Sequence, residues 1–233
     1  MISNAGFCEC SDAHIPPNGA IPLVIYTLAN ECYHAKKPFI LNGDTLDLII
    51  HGLEAYRKGL AVKGLRTLLC MVDTYIIVGN HEVRANWLKT LFKGVKSIKV
   101  VNSLDIEVRG CKWHIEHGDR YSLDWSWLRP VYTKVALIMI VMAPGLWLRI
   151  CRRWRPSALE QAGERDKYTR LTGLIRYNAL NDAILRKSSV IIGHTHLEGM
   201  IRQSCITIWD GGDARDGSGI RVLPDGTGEQ VRQ

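Results

Sequence analysis

The chain has 233 residues, of which 46% are hydrophobic and 23% charged, and this composition excludes disordered, collagen-like and coiled-coil classes. A single domain over 1–233 is expected at this length. The net charge of +7 is concentrated in one segment, because residues 125–180 hold ten Lys/Arg and only three Asp/Glu. This basic balance indicates an anionic partner, such as a phosphate compound, nucleic acid or an acidic membrane surface.

Strand-like and helix-like stretches alternate along the first half of the chain, and a series of strands follows. Strands are predicted at 6–11, 38–42, 74–78, 97–101, 104–109, 112–116, 189–192, 205–210 and 219–223. Helices are predicted at 20–35, 51–70, 83–92 and 168–186, the second despite its internal glycines. This order is typical of an α/β or α+β layered fold.

The cysteines and the N-terminus indicate a cellular compartment. Seven cysteines, an odd number with no C-x-x-C spacing, are typical of reduced thiols in a cytoplasmic protein. The N-terminal residues show neither the basic nor the apolar region of a secretory signal. We therefore expect a cytoplasmic location.

A polar cluster follows each of five predicted strands. The clusters are Asp12-Ala13-His14, Gly43-Asp44-Thr45-Leu46-Asp47, Gly79-Asn80-His81-Glu82, His117-Gly118-Asp119 and Gly193-His194-Thr195-His196. Any one of them can occur without a function, as a chance Asp-x-His or as an ordinary turn. Together they hold five of the eight histidines, at the strand ends where active sites of sheet folds gather. Asp, Asn and His supply the oxygen and nitrogen ligands that suit Mn, Fe or Zn.

The series D-x-H, GDxxD, GNH[D/E], HGD and GHTH resembles the calcineurin-like metallophosphoesterase superfamily. The resemblance implies a four-layer αββα sandwich that holds two divalent metal ions, most suitably Mn²⁺. By motif, the implied ligands are Asp12, His14 and His196 for one ion, Asn80, His117 and His194 for the other, and Asp44 for both. All seven positions carry the expected residue, whereas Glu82 stands where many members have Asp.

The same resemblance implies the chemistry of phosphate-ester hydrolysis. A hydroxide that bridges the two ions would attack phosphorus, and His81 would protonate the departing oxygen. Glu82 is expected to orient His81. Asp47 and Asp119 are expected to fix ligand histidines or to close loops.

An insert at 120–187 separates the fourth and fifth motifs. Its segment 135–148 is apolar and uncharged but shorter than the ~20 residues of a membrane span, and Pro144 and Gly145 interrupt it. Four arginines follow it, interleaved with tryptophan: Arg149, Arg152, Arg153 and Arg155. The insert is interpreted as a helical lid over the metal cleft, with contact to an anionic membrane as an open alternative and nucleic-acid contact as a weaker one.

This layout resembles one branch of the superfamily, the UDP-2,3-diacylglucosamine pyrophosphatase of lipid A synthesis and its relatives, in which a hydrophobic, basic lid holds a lipid-linked substrate. The sequence at 209–213 also resembles the ending of that branch, and by layout Asp124, Lys167 and Arg170 are weak candidates for substrate contacts. The pyrophosphatase typically carries Arg at the position of His81, and a histidine there favours phosphoester cleavage, since an alkoxide needs an acid to leave. Three alternatives stay open: the pyrophosphatase activity itself, a nuclease or nucleotide phosphodiesterase, and a metal-free scaffold that binds protein.

Overall fold

The computed structural model describes residues 3–82, 84–121 and 165–233, together with 135, 138, 139, 142, 143 and 146. Side chains in the last long range are described from residue 172 onward. Asp124 and most of the predicted lid segment 135–148 therefore lie outside the described residues, as do the side chains of Lys167 and Arg170.

Eleven strands of the described residues form two sheets. The strands are β1 Phe7–Cys10, β2 Phe39–Asn42, β3 Thr74–Ile77, β4 Ile98–Val101, β5 Ser103–Val108, β6 Cys111–Glu116, β7 Ser189–Ile192, β8 Gly199–Gln203, β9 Ile206–Asp210, β10 Ser218–Val222 and β11 Gly228–Arg232. The first sheet has the order β11-β10-β1-β2-β3-β4 and the second has β5-β6-β7-β9-β8. β1 to β4 are parallel, as are β6, β7 and β9, so the carboxyl ends of β1, β2 and β3 lie along one edge of the first sheet, and those of β6 and β7 along one edge of the second.

The helices of the described residues are α1 Leu23–Ala35, α2 Leu48–Lys58, α3 Leu60–Leu69, α4 Ala85–Leu91 and α5 Arg165–Arg186. The prediction of one helix over 51–70 is wrong, because the chain is extended at Gly59 (φ −75°, ψ 164°) and α2 ends there. Gly52 (φ 72°, ψ 164°) also leaves the helical conformation inside α2. Residues with a side chain disfavour the conformation of Gly52, whereas Gly59 interrupts the predicted helix with an ordinary extended backbone.

Three apolar clusters show how the layers stack. Alternate residues of the first sheet face opposite sides: Cys8 and Leu41 pack under α1 to α4, whereas Phe7 and Ile40 face the second sheet. On the far side of the second sheet, Ile192 and its neighbours pack against α5. The layers are therefore helices, sheet, sheet and helix, and the predicted four-layer α/β sandwich is confirmed. Among the described residues, no helix has both the length and the apolar character to cross a bilayer.

Candidate metal centre

The loops after β1, β2, β3, β6 and β7 bring all seven predicted metal ligands to one cleft. Around it, Asp12, His14 and His196 form one group of potential ligands, and Asp44, His117 and His194 form another. Within each group the ligand atoms lie within 4.8 Å of one another. Asp12 and His196, which are 184 positions apart in the sequence, thus meet at the strand ends where the motifs predicted a site.

The first group has free ligand atoms that point at one another. The Oδ1 atom of Asp12 lies 4.0 Å from Nε2 of His14 and 3.7 Å from Nε2 of His196. Asp12 Oδ1 and His14 Nε2 are buried and find no hydrogen-bond partner among the described residues. Buried polar atoms are normally satisfied, so the unpartnered atoms of this pair fit the binding of a cation.

Asp44 belongs to the second group and also faces the first. Its Oδ2 atom is 3.3 Å from Nε2 of His117 and 3.9 Å from Nε2 of His14. Asn80 closes the second group, because its Oδ1 lies 2.9 Å from Nε2 of His117. One carboxylate thus reaches ligand atoms of both groups, which is the position that a shared ligand needs.

The backbone at the ligands adopts a sparsely populated conformation. Nine non-glycine residues of the described chain have positive φ, and five of them are predicted ligands: Asp12, His14, Asp44, His194 and His196. Their φ values lie between 42° and 72°, in the left-handed region that side chains disfavour. Such strain concentrates at functional sites, where the surrounding structure enforces it.

The motif glycines make room for the ligands. A Cβ atom on Gly43 would lie 2.4 Å from Nδ1 of His117, and one on Gly193 would lie 2.6 Å from Oδ2 of Asp12. On Gly79 it would lie 2.2 Å from Oδ1 of Asp44. A side chain at any of the three positions would therefore displace a ligand, which explains the Gly that opens three of the motifs.

Two carboxylates outside the ligand set hold its histidines. Oδ1 of Asp47 lies 2.7 Å from Nδ1 of His14 and 2.9 Å from Nδ1 of His81. Asp213 was not predicted as a site residue, yet its Oδ2 lies 3.1 Å from Nδ1 of His196. The only sequence signal for Asp213 was its place in the 209–213 ending, which carried no role.

His81 stands at the mouth of the cleft, with 27% of its side chain exposed. Its Nε2 lies 3.9 Å from Oδ2 of Asp44. Burial alone would lower the pKa of His81, but the charge of Asp44 and the hydrogen bond and charge of Asp47 raise it to about 9. In the metal-free chain, these two carboxylates therefore favour the protonated form of the imidazole.

Glu82 does not orient His81 as predicted. Its buried carboxylate instead accepts backbone hydrogen bonds from Asp44 (2.8 Å), Leu46 (3.0 Å) and Gly79 (2.8 Å). The contact to the His81 ring comes from Asp47. Glu82 thus ties the loop after β2 to the loop after β3, because unpaired backbone N–H groups in a buried loop need an acceptor.

Asp119 begins a 3₁₀ turn, Asp119–Tyr121, directly after the loop that carries His117. Burial would lower the pKa of His117, but the charges of Asp44, Asp12 and Asp119 raise it well above its ordinary value. Burial together with the charge of His117 lowers the pKa of His194 to about 3, so that ring is neutral and able to ligate. The two neighbouring rings therefore differ in charge in the metal-free chain: the carboxylates favour a proton on His117, and burial disfavours one on His194.

The cleft has a volume of about 250 Å³ and two walls. One wall is the site itself, with Asp44, Asn80, His81 and His196. The other comes from α5, through Thr172 and Ile175. The C-terminal part of the predicted insert thus lies against the cleft, whereas the predicted cover over 135–148 falls outside the described residues.

The donor set fits divalent metal ions. It offers carboxylate, amide and imidazole atoms, which suit Mn, Fe or Zn, and no described cysteine lies in it. The residues that would hold the ions are Asp12, His14, His196, Asn80, His117, His194 and, between them, Asp44.

Comparison with known proteins supports the fold. No family model matches the chain, and neither does any curated protein. Among solved structures, it is similar to an archaeal phosphodiesterase at 14% identity and a TM-score of 0.50, over 97% of this chain and 99% of that one. It is also similar to a dimetal phosphatase from Danio rerio at 11% identity and a TM-score of 0.50, over 98% and 99% of the two chains. The layers, the converging loops and these similarities define the class: the chain has the calcineurin-like metallophosphoesterase fold.

Proposed function

We propose that the chain is a hydrolase that cleaves phosphate esters with two divalent metal ions. The observation that carries this proposal is the two adjacent groups of potential ligands, one of which contains Asp44, with five of the predicted ligands held at positive φ. Mn²⁺ suits the mixed carboxylate and imidazole donors, and Fe or Zn would fit the same atoms. Two solved structures of this fold, a phosphodiesterase and a dimetal phosphatase by name, support the class.

Each group in the cleft has a part in this reaction. Two bound ions would supply an activated water and neutralise charge on the phosphoryl oxygens. His81 would give its proton to the departing oxygen, since its Nε2 faces the cleft and its Nδ1 is held by Asp47. Asp47 and Asp213 keep the rings of His14 and His196 turned so that Nε2 faces the ligand groups.

The identity of residue 81 separates the candidate substrates. Cleavage of a pyrophosphate expels a phosphate, which needs little protonation, whereas an alkoxide needs an acid. A histidine at position 81, which can act as this acid, therefore favours a phosphoester over the UDP-2,3-diacylglucosamine-type pyrophosphate. The layout of the insert is compatible with a lipid-linked phosphoester. A nuclease is disfavoured, since the insert mixes its aromatics with an aliphatic run. A metal-free scaffold would have lost ligands, and this chain keeps all seven.

A panel hydrolysis assay tests the proposal. The full chain, loaded with Mn²⁺, is given an aryl phosphomonoester, an aryl phosphodiester, a cyclic nucleotide and a UDP-diacyl sugar. We expect turnover of at least one phosphoester that chelation abolishes and Mn²⁺ restores. Release of UMP alone would move the assignment to the pyrophosphatase branch. Absence of turnover on all four, with the metals bound, would contradict the proposal.

We also propose that the protein contacts the anionic inner face of a membrane through residues 135–155. Four described residues of that segment support it, because Val135, Ile138, Met142 and Leu146 are about half or more exposed. Exposed apolar side chains followed by arginines suit a headgroup interface. Co-sedimentation with anionic vesicles at low salt tests it: wild type should pellet, and the Gln variants of Arg149, Arg152, Arg153 and Arg155 should pellet less. If wild type stays wholly in the supernatant, the proposed membrane contact is wrong, and the insert is only a lid over the cleft.

A further inference from the structure

Arg176 on α5 reaches across to the loop that carries two predicted ligands. Its Nε donates to Oδ2 of Asp210 at 3.0 Å, and its Nη2 donates to the backbone oxygen of Leu197 at 2.6 Å. Leu197 directly follows His196. The guanidinium is only 20% exposed, and the Asp210 side chain is fully buried. Such a buried ion pair is not a solvated surface contact.

Asp210 extends the contact into the ligand motif. The hydroxyl of Thr195, which lies between His194 and His196, donates to the same Oδ2 of Asp210 at 2.5 Å. Thr195 is itself buried. Arg176 therefore holds the loop at two points, at Leu197 directly and at Thr195 through Asp210.

The same helix also forms the far wall of the cleft. Thr172 and Ile175 line it, one turn before and directly next to Arg176. The packing around the guanidinium is tight, because a Cβ on Gly199 would lie 2.6 Å from Nη2 of Arg176. The arginine thus links the wall of the cleft to the loop that presents the histidines.

We infer that Arg176 is a positioning residue for the candidate metal centre, which fixes the loop of His194 and His196 relative to the α5 wall. The planar guanidinium of Arg176 donates hydrogen bonds to the Asp210 carboxylate and the Leu197 carbonyl at the same time. A lysine ammonium cannot do so with the same geometry. The effect on metal affinity depends only on the ligand geometry, whereas the effect on turnover rests on the proposed function.

Calorimetric titration of the metal-stripped full chain with Mn²⁺ tests this inference. Partners that orient metal ligands typically contribute 10–100-fold to metal affinity. We expect Arg176→Met to weaken binding at one site by about tenfold or more and Arg176→Lys to recover part of that loss. The matched control is Arg186→Met, since Arg186 lies on the same helix but pairs with Asp182 at 2.6 Å, outside the set of residues that line the cleft. It should change the affinity by less than about twofold.

A second variant covers loss of folding. Arg176→Met leaves the Asp210 carboxylate buried without its cation, which can unfold the chain. Arg176→Met/Asp210→Asn removes both charges, so it should fold, as thermal melting can check, and still bind Mn²⁺ more weakly. Wild-type affinity in both Arg176→Lys and the double variant would overturn the inference. Wild type that binds two Mn²⁺ but hydrolyses no phosphoester would overturn the proposed function and leave this inference standing.

Discussion

At the scale of single residues, four histidines of the cleft are held in the same way. Each has Nδ1 within hydrogen-bond distance of a protein oxygen: Asp47 for His14 and His81, Asp213 for His196, and the backbone oxygen of Asn42 for His117. For the three predicted ligands His14, His117 and His196, an acceptor at Nδ1 favours the neutral tautomer whose proton sits there, so the lone pair of Nε2 faces the cleft. The outer oxygens therefore decide which atom of each ring is offered to a metal.

His81 shares this arrangement but has a different task in the proposal. We expect His81→Ala to keep both metal ions and to slow hydrolysis of alkyl phosphate esters by about 10²–10⁴-fold. The loss should be smaller for aryl esters, because their leaving groups need less protonation. Steady-state rates for a matched alkyl and aryl pair, with metal content measured on the same samples, check this.

The control for His81→Ala is His34→Ala, an exposed histidine outside the motifs, which should leave both rates unchanged. An equal loss for the alkyl and the aryl ester would show that His81 positions phosphate and does not donate a proton.

The meeting of the seven predicted ligand residues in one cleft could be predicted from the sequence, because each motif directly follows a strand end. Glu82 and Asp213 could not be assigned correctly. Glu82 accepts hydrogen bonds from the backbone N–H groups of Asp44 and Leu46. No local sequence pattern shows which buried N–H groups need a side-chain acceptor. Asp213 meets His196 only because β9 pairs with β7, a neighbour relation that the sequence does not state.

At the scale of elements, the short glycine-containing turns after the strands determine where the predicted metal ligands lie. Gly79→Ala would place a methyl group 2.2 Å from Oδ1 of Asp44, so the carboxylate or the turn must move. We expect Mn²⁺ binding to weaken by tenfold or more, on the scale seen when ligands lose their orientation. Calorimetric titration measures it.

The control for Gly79→Ala is Gly173→Ala in α5, where the added Cβ has no described atom within 4 Å apart from its chain neighbours and the adjacent backbone of its own helix. This change should leave Mn²⁺ affinity unaltered, and alanine favours the helix. Unchanged affinity in Gly79→Ala would show that the turn is not what positions Asp44.

Fully buried strands were predicted closely from the sequence. β1, β2 and β3 are fully buried and mostly apolar, and they were predicted to within two residues of their bounds. β8 (Gly199–Gln203) and β11 (Gly228–Arg232) were missed, although the other two edge strands, β4 and β5, were predicted. Each missed strand begins with glycine and holds at most two apolar side chains in five residues, so it carries little hydrophobic pattern.

At the scale of the whole molecule, a polar network joins the second sheet to α5. Nδ1 of His114 lies 2.6 Å from Oδ1 of Asp105, and its Nε2 lies 3.7 Å from Oε2 of Glu116. Arg120 then pairs with Glu116 and, at 2.7 Å, with Asp182 of α5. The layer that carries the cleft wall is thus tied to β6 by charge as well as by apolar packing.

This network predicts a pH-dependent part of stability. Burial lowers the pKa of His114, but the nearby Glu116 carboxylate and the hydrogen bond to Asp105 raise it above its ordinary value. Because folding raises the pKa of His114, its protonation stabilises the folded chain at pH values below the unfolded-state pKa of about 6.5. This stabilisation is lost as the pH rises through the folded-state pKa. The difference in unfolding free energy between wild type and His114→Gln should therefore be largest below about pH 6.5 and shrink at higher pH. Urea unfolding at pH 5.5, 7 and 8.5 in one metal state tests this, and a difference independent of pH would contradict it.

The central claim is that Asp44 serves two metal ions that the chain needs for phosphoester hydrolysis. The most direct test combines elemental analysis with aryl phosphate turnover for wild type, Asp44→Ala and the exposed control Asp73→Ala, all reloaded with Mn²⁺ under the same conditions. The structure predicts two Mn²⁺ ions and full turnover for wild type and Asp73→Ala, and loss of both metal and turnover for Asp44→Ala. Two Mn²⁺ ions still bound in Asp44→Ala, or wild-type turnover without any metal, would contradict it.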